Sequence, residues 1–120
     1  MCIGIDIIEI DRIDKIIKRN KFFISCAFSQ DEIDQLSKKK SVNESIASRF
    51  CAKESFFKCV GEGIKNIKNL KSVKILNSKD GKPEIILEGK LLEKYKDHTF
   101  HVSMSHCKKY ATAIVEMNSE

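Results

Sequence analysis

The segment Arg49-Phe50-Cys51-Ala52-Lys53-Glu54-Ser55-Phe56-Phe57-Lys58 limits what this chain can fold into more than any other, because it reads as a helix that is apolar over most of its circumference yet carries four charges. At about 100° per residue, Phe50, Phe57, Phe56, Val60, Cys59 and Ala52 cover most of the wheel, and a helix of that kind is buried rather than laid on a surface. Glu54 and Lys58 sit one turn apart with Ser55 beside them, while Arg49 and Lys53 form a second pair elsewhere on the wheel. As an ordinary surface pair, Glu54 and Lys58 would contribute only about 0.3–0.5 kcal/mol. Charges withdrawn among aromatic rings need partners. A carboxylate held there with three cations nearby is a seat for a metal ion and a phosphorylated ligand.

The rest of the chain supplies elements around that helix. Met1 to Ile10 alternates, with Ile3, Ile5 and Ile7 on one side and Cys2, Gly4, Asp6 and Ile8 on the other, which is a strand pattern. Asp6 is an acid in the middle of an apolar strand, beside a glycine that lets another group approach its backbone. A helix capped near Asp11 follows, with Ile13, Ile16 and Ile17 inward and Arg12, Lys15, Lys18, Arg19 and Lys21 wet. Phe22 to Phe28 reads as an apolar link. Ser29-Gln30-Asp31-Glu32 has the form of a capping box opening a short helix, and Ser41-Val42-Asn43-Glu44 has the same form at the start of the long one, which Gly61 and Gly63 end. Val73–Leu76 and Pro83–Leu87 form a hairpin around Ser78-Lys79-Asp80-Gly81. One or two helical turns fit Gly89 to Tyr95, and two strands around Phe100–Ser105 and Tyr110–Val115 complete the chain. The expected fold class is α+β: an N-terminal strand, helices, then a mainly antiparallel sheet, in one domain over residues 1–120.

Composition narrows the partners. The formal net charge of +5 favours anionic ones without choosing among nucleic acid, an acidic protein and a phosphorylated cofactor. A small basic module that binds RNA would need aromatic residues interleaved with a basic run, and there is no Trp, only two Tyr and no such run. Nucleic acid is therefore not expected as a partner. Five cysteines, an odd number with no C-x-x-C spacing and no Cys/His cluster for zinc, fit reduced thiols in a cytosol. Asp6, Glu9 and Asp11 leave no signal-peptide core, and no apolar run approaches the ~18 residues of a membrane span, so a soluble, cytoplasmic protein is expected.

Asp6 and Glu54 are the two carboxylates placed to be withdrawn from water, and hard oxygen ligands of this kind, supplemented by phosphate oxygens, suit Mg2+ better than zinc. Arg49, Lys53, Lys58 and His106 are cations able to hold a polyanionic ligand, which points to phosphoryl-type transfer. A second reading places a nucleophile at Ser103 or Ser105 beside His106, but no orienting acid accompanies them.

Gly4-Ile5-Asp6, the run Arg49 to Lys58 followed by Gly61-Glu62-Gly63, the turn Gly81-Lys82-Pro83, and Val102-Ser103-Met104-Ser105-His106 occur in an order and spacing that resemble bacterial holo-acyl-carrier-protein synthase, the small 4′-phosphopantetheinyl transferase. The resemblance spans essentially the whole chain. It implies Mg2+-dependent transfer of 4′-phosphopantetheine from coenzyme A to a serine of apo-acyl carrier protein, releasing adenosine 3′,5′-bisphosphate, in support of fatty acid biosynthesis. It further implies that Asp6 and Glu54 hold the metal, that Glu54 or a water on the metal takes the serine proton, and that Lys58 stabilises the leaving phosphate oxygen. Arg49 and His106 match positions that grip the 3′-phosphate, the Gly81–Pro83 turn lines the adenine site, and Arg12 matches a carrier-protein contact. A homotrimer with sites at the subunit interfaces is likewise implied by the family.

Overall fold

The computed structural model describes residues 1–119. Strand β1, Cys2–Glu9, turns Gly4, Asp6 and Ile8 inward and leaves Ile3, Ile5 and Ile7 54%, 61% and 66% exposed. Helix α1, Ile10–Arg19, starts two residues earlier than a cap at Asp11 would set it, because Glu9 takes the N-cap position and Asp11 falls inside the first turn. Ile13 is its fully buried anchor. The link at residues 22–28 is itself a short helix, α2, Phe23–Ala27: Phe23 and Ala27, four apart, both reach the core and close one turn between them.

The two similar capping sequences diverge. In α3, Gln30–Leu36, the box forms, and the Ser29 amide donates to Glu32 Oε1 at 3.0 Å. In α4, Val42–Val60, Ser41 makes no side-chain cap bond, and Glu44 is turned aside to His106, 3.1 Å away. The far end of α4 does stop as expected. Gly61 adopts φ +73°, and the Glu62 amide reaches back to the Phe57 carbonyl at 3.0 Å, a Schellman closure that satisfies the last turn.

A 3₁₀ turn at Ile67–Ser72 leads into the hairpin of β2, Val73–Asn77, and β3, Pro83–Leu87. Helix α5, Gly89–Tyr95, then precedes β4, His98–His106, and β5, Tyr110–Ser119. The β structure divides into two sheets: an antiparallel sheet in the order β1-β5-β4, and the separate β2-β3 hairpin. The α+β class stands, with β1 joining the late strands by pairing antiparallel to β5.

Helix α4 lies across the inner face of the three-stranded sheet and is buried almost all round, as its composition demands. What allows it so close is the lack of side chain at Gly4. A Cβ there would stand 2.0 Å from the Ser55 carbonyl oxygen and 2.5 Å from the Cys59 nitrogen, both backbone atoms. The Ser55 hydroxyl completes the seam by donating to the Ala113 carbonyl of β5 at 2.9 Å. Gly4→Ala should therefore force α4 off the sheet and lower stability by about 2–3 kcal/mol, the cost of overpacking. Chemical denaturation measures this, and an unchanged midpoint would mean the seam is looser than the structure has it.

Candidate active site

The close seam at Gly4 brings Asp6, two residues further along β1, to the side of α4 that carries Glu54 and Lys58. Lys58 does not pair with Glu54 along its own helix. It crosses to the strand, where its Nζ donates to Asp6 Oδ1 at 3.1 Å. The Cys51 thiol donates to Asp6 Oδ2 at 3.6 Å, and the Thr112 hydroxyl holds the Asp6 carbonyl at 2.8 Å. The carboxylate is thereby fixed by the sheet, the helix and a neighbouring thiol.

Two acids now share one exposed cation, and the ionisations record the shortage. Burial, reinforced by the charge of Asp6, pushes the Glu54 carboxyl up, while Lys58 pulls the other way. Burial and the same carboxylate push the Cys51 thiol up to about 12, so it remains a neutral donor. A pair of hard oxygen donors lacking positive charge fits a divalent cation such as Mg2+, whose remaining positions would go to water and ligand phosphate. Among the described residues no group of three or more His, Cys, Asp or Glu side chains forms a cage of its own. A two-carboxylate site of this kind suits Mg2+ better than zinc.

Along α4 the stripe Phe50, Glu54, Phe57 and Lys58 forms one wall of a groove of about 550 Å³. The loop after Gly61, through Glu62, Gly63, Ile64, Lys65 and Asn66, forms the opposite wall. Gly61-Glu62-Gly63 is marked in the sequence as a helix end, but Ile64, Lys65 and Asn66 show neither periodicity nor a clustered charge that would point to a groove wall.

The remaining expected residues separate. Arg49 is buried; its guanidinium donates to Asn77 Oδ1 at 2.7 Å and to the Ser45 carbonyl at 3.4 Å, and burial draws its pKa down. The Asn77 amide in turn donates to the Gly81 carbonyl at 2.9 Å, so Arg49 and the Gly81–Pro83 turn form one hydrogen-bonded unit. Lys82 and Pro83 line a second cavity, of about 480 Å³, with Phe100 and His101. His106 sits at the end of β4 on Glu44. Ser103 and Ser105 are exposed on the outer sheet face, and His106 bonds to neither among the described residues, so the geometry lends the nucleophilic serine reading no support. Arg12 is exposed on α1 and lines a small recess with Ile7, Ile8, Glu9 and Tyr110.

Lys53 corrects an expectation. Expected among the cations facing a ligand, it is fully buried with every ammonium hydrogen engaged: Glu32 Oε1 at 2.8 Å and the carbonyls of Ala27 and Leu70 at 2.9 Å each. Burial draws it down to about 8, with Glu32 opposing. Nothing of this side chain is left for a phosphate. Lys53 and Lys58 lie about 140° apart on the helix wheel, both beside apolar residues, and the arrival of Glu32 from a distant helix is what buries Lys53.

Among known families, the model of the 4′-phosphopantetheinyl transferase superfamily matches residues 2–115. Holo-[acyl-carrier-protein] synthase of Clostridium tetani is 45% identical over 114 residues, covering 92% of this chain and 90% of its own. The chain belongs to the holo-[acyl-carrier-protein] synthases of that superfamily. Two solved members resemble it over nearly full length. Helicobacter pylori holo-[acyl-carrier-protein] synthase in complex with coenzyme A has a TM-score of 0.83 at 34% identity, covering 97% of this chain and 99% of that one. The Bacillus anthracis holo-(acyl-carrier-protein) synthase in complex with CoA (3′,5′-ADP) has a TM-score of 0.81 at 32% identity, covering 99% and 96%.

The two lysines of α4 in this synthase should separate cleanly in denaturation experiments. Lys53→Met leaves the Glu32 carboxylate buried without its counter-ion and should cost about 3–5 kcal/mol. Lys58→Ala removes an exposed pair and should change stability by less than about 1 kcal/mol. Similar losses in both variants would contradict this division of roles.

Proposed function

We propose that the chain transfers 4′-phosphopantetheine from coenzyme A to a serine hydroxyl of an apo-acyl carrier protein, releasing adenosine 3′,5′-bisphosphate, with Mg2+ held by Asp6 and Glu54. The observation that carries this reading is the meeting of Asp6, from a strand, with Glu54 and Lys58, from a helix, the latter two on the wall of a groove large enough for a small ligand. When bound, the metal supplies Lewis-acid charge on the pyrophosphate. Glu54, whose carboxyl is raised by burial and by Asp6, stands ready to accept the serine proton. The serine oxygen bonds to the phosphorus that bears pantetheine, and the bond from that phosphorus to the bridging oxygen breaks. Lys58 donates to the oxygen that departs with the bisphosphate. Asp6 orients Lys58 through their direct hydrogen bond. Modification of acyl carrier protein would place the enzyme in the cytoplasm, in support of fatty acid biosynthesis.

Arg49 and His106 are assigned to the 3′-phosphate, and Gly81, Lys82 and Pro83 to the adenine. These residues do not share the groove wall with Glu54. Five residues along a helix turn Arg49 about 140° away from Glu54 and shift it ~8 Å along the axis. One coenzyme A could reach both most directly if it lay between two chains. The outer face of the β1-β5-β4 sheet offers a surface for such assembly, because Ile3, Ile5, Ile7, Ile114 and Tyr110 are all exposed there. The family supplies the number of subunits, three. For the carrier protein, acidic as a family, the basic face of α1 is the docking surface. Arg12 on that face lines a recess with Ile7 and Ile8, the residues that follow Asp6, so a carrier bound there lies beside the metal-binding carboxylates.

Turnover is tested by incubating the protein with coenzyme A, apo-carrier protein and Mg2+ and measuring the bisphosphate released. Asp6→Ala and Glu54→Ala should each lower turnover by about 100-fold or more while the fold persists; near-normal turnover in either, or full activity in excess chelator, would remove the metal assignment.

Shared sites make a separate demand. Mixing an inactive Arg49 variant with an inactive Glu54 variant should restore part of the activity if the two residues serve one site from different chains. No recovery from subunits shown to exchange, or a monomer by light scattering at working concentration, would sink the shared-site reading.

A further inference from the structure

The loop that walls the groove opposite Glu54 and Lys58 has few bonds of its own. Among the described residues, no backbone hydrogen bond holds Gly63, Ile64 or Lys65. A further cavity, of about 330 Å³, adjoins the same loop, and Phe57, Glu62, Gly63 and Lys65 border both it and the groove. A free loop at this position could lean either way. Glu62 prevents it. The Glu62 amide is tied to the end of α4 through the Phe57 carbonyl, and its carboxylate accepts from the Tyr95 hydroxyl and, at 3.0 Å, from Lys94 Nζ, both on α5. Tyr95 is itself immobilised by edge-on packing against Phe56 and Phe100, with ring centroids 6.1 and 6.0 Å away. The ionisations agree with this tether. The Tyr95 bond, and then Lys94, hold the Glu62 carboxyl below its usual range, and burial together with Glu62 pushes the Tyr95 phenol up to about 12.

We infer that Glu62 is a positioning residue for the transfer reaction: bonded to Tyr95 and Lys94, it fixes the loop between the two spaces, so that Lys65, on their shared border, is held within reach of the groove and the phosphates of coenzyme A. The inference rests on the function proposed above for that groove. Tyr95 does not border the groove, so an effect of its hydroxyl on ligand binding must travel through Glu62.

Tyr95→Phe keeps the ring packing and removes the tether. It should raise the KM for coenzyme A about five- to tenfold, the scale of one misplaced charge-assisted contact, with kcat and the KM for carrier protein changed less than about twofold. Lys65→Ala should give the same split. Glu62→Gln combined with Tyr95→Phe should be no worse than the more affected single variant, because both break one link. Hydrogen exchange at the Glu62 amide, the one bonded to the Phe57 carbonyl, should quicken in Tyr95→Phe and stay unchanged in Lys65→Ala. An unchanged KM for coenzyme A in Tyr95→Phe, additive losses in the double variant, or a fall in kcat and Tm without the KM split, would overturn the tether. A wild-type protein that neither binds nor turns over coenzyme A would instead remove the function assigned to the groove and, with it, the ligand named here.

Discussion

The ion pair of Lys53 and Glu32 is the contact on which the helical half of the molecule depends. Lys53 Nζ lies over the Phe28 ring at 4.6 Å and spends its three hydrogens on Glu32 and on the carbonyls of Ala27 and Leu70. Glu32 is as fully used: Oε1 also accepts from the Ser29 amide and hydroxyl, and Oε2 accepts from the Ile75 amide of β2 at 2.9 Å. Two charges therefore join the end of α2, the start of α3, the middle of α4, the 3₁₀ turn and the hairpin. Such a pair is weak as a net source of stability, since removing two ions from water costs several kcal/mol each. Its effect is to make alternatives expensive. Any packing that withdraws one partner leaves a buried charge unanswered, so segments with little regular structure between them are held in a single arrangement.

That arrangement presents one stripe of α4 to solvent and fastens the rest. Because Lys53 points into the helical layer and Ser55 into the sheet, Glu54 between them is left facing the groove. On the sheet side, the missing Cβ at Gly4 and the small side chain of Ala113 allow the close approach that sets Asp6 beside Glu54. The site is thus a by-product of two packing demands on neighbouring residues of one helix. It is stiff on the α4 and β1 side, and on the loop side it depends on the link from Glu62 to α5.

How much of this could be read from the residues depends on how far each feature reaches along the chain. The buried character of α4, its stop at Gly61, the capping box at Ser29 and the Asp80-Gly81 hairpin turn are local, and the structure has them where periodicity and turn chemistry place them. Asp6 and Glu54 were legible as unusual acids, one in a strand and one among phenylalanines. Distant partners were not legible. Ser41 and Glu44 repeat the pattern of Ser29 and Glu32, yet His106, arriving from the end of β4, takes Glu44 away. Lys53 and Lys58 lie about 140° apart on the wheel, both on a mostly apolar helix, and only their distant partners, Glu32 for one and Asp6 for the other, show which is buried. Arg49 could not be joined to the Gly81 turn without knowing that Asn77 would stand between them.

The electrostatics of the site complete the physical account. Asp6 and Glu54 bring two negative charges against the single exposed ammonium of Lys58, an arrangement that by itself repels the phosphates the groove is proposed to bind. Burial, with the charge of Asp6 added to it, raises the Glu54 carboxyl. An acid whose pKa is higher folded than unfolded binds its proton better in the native state, so its contribution to stability falls as pH rises through the raised value. The ionised site is therefore maintained at some expense to the fold, against the hydrogen bonds and packing that fix Asp6 and α4. A divalent cation would answer both difficulties, neutralising the carboxylates and reversing the sign of the field that an incoming pyrophosphate meets. Cys51, kept as a neutral thiol under Asp6, adds a donor without adding charge.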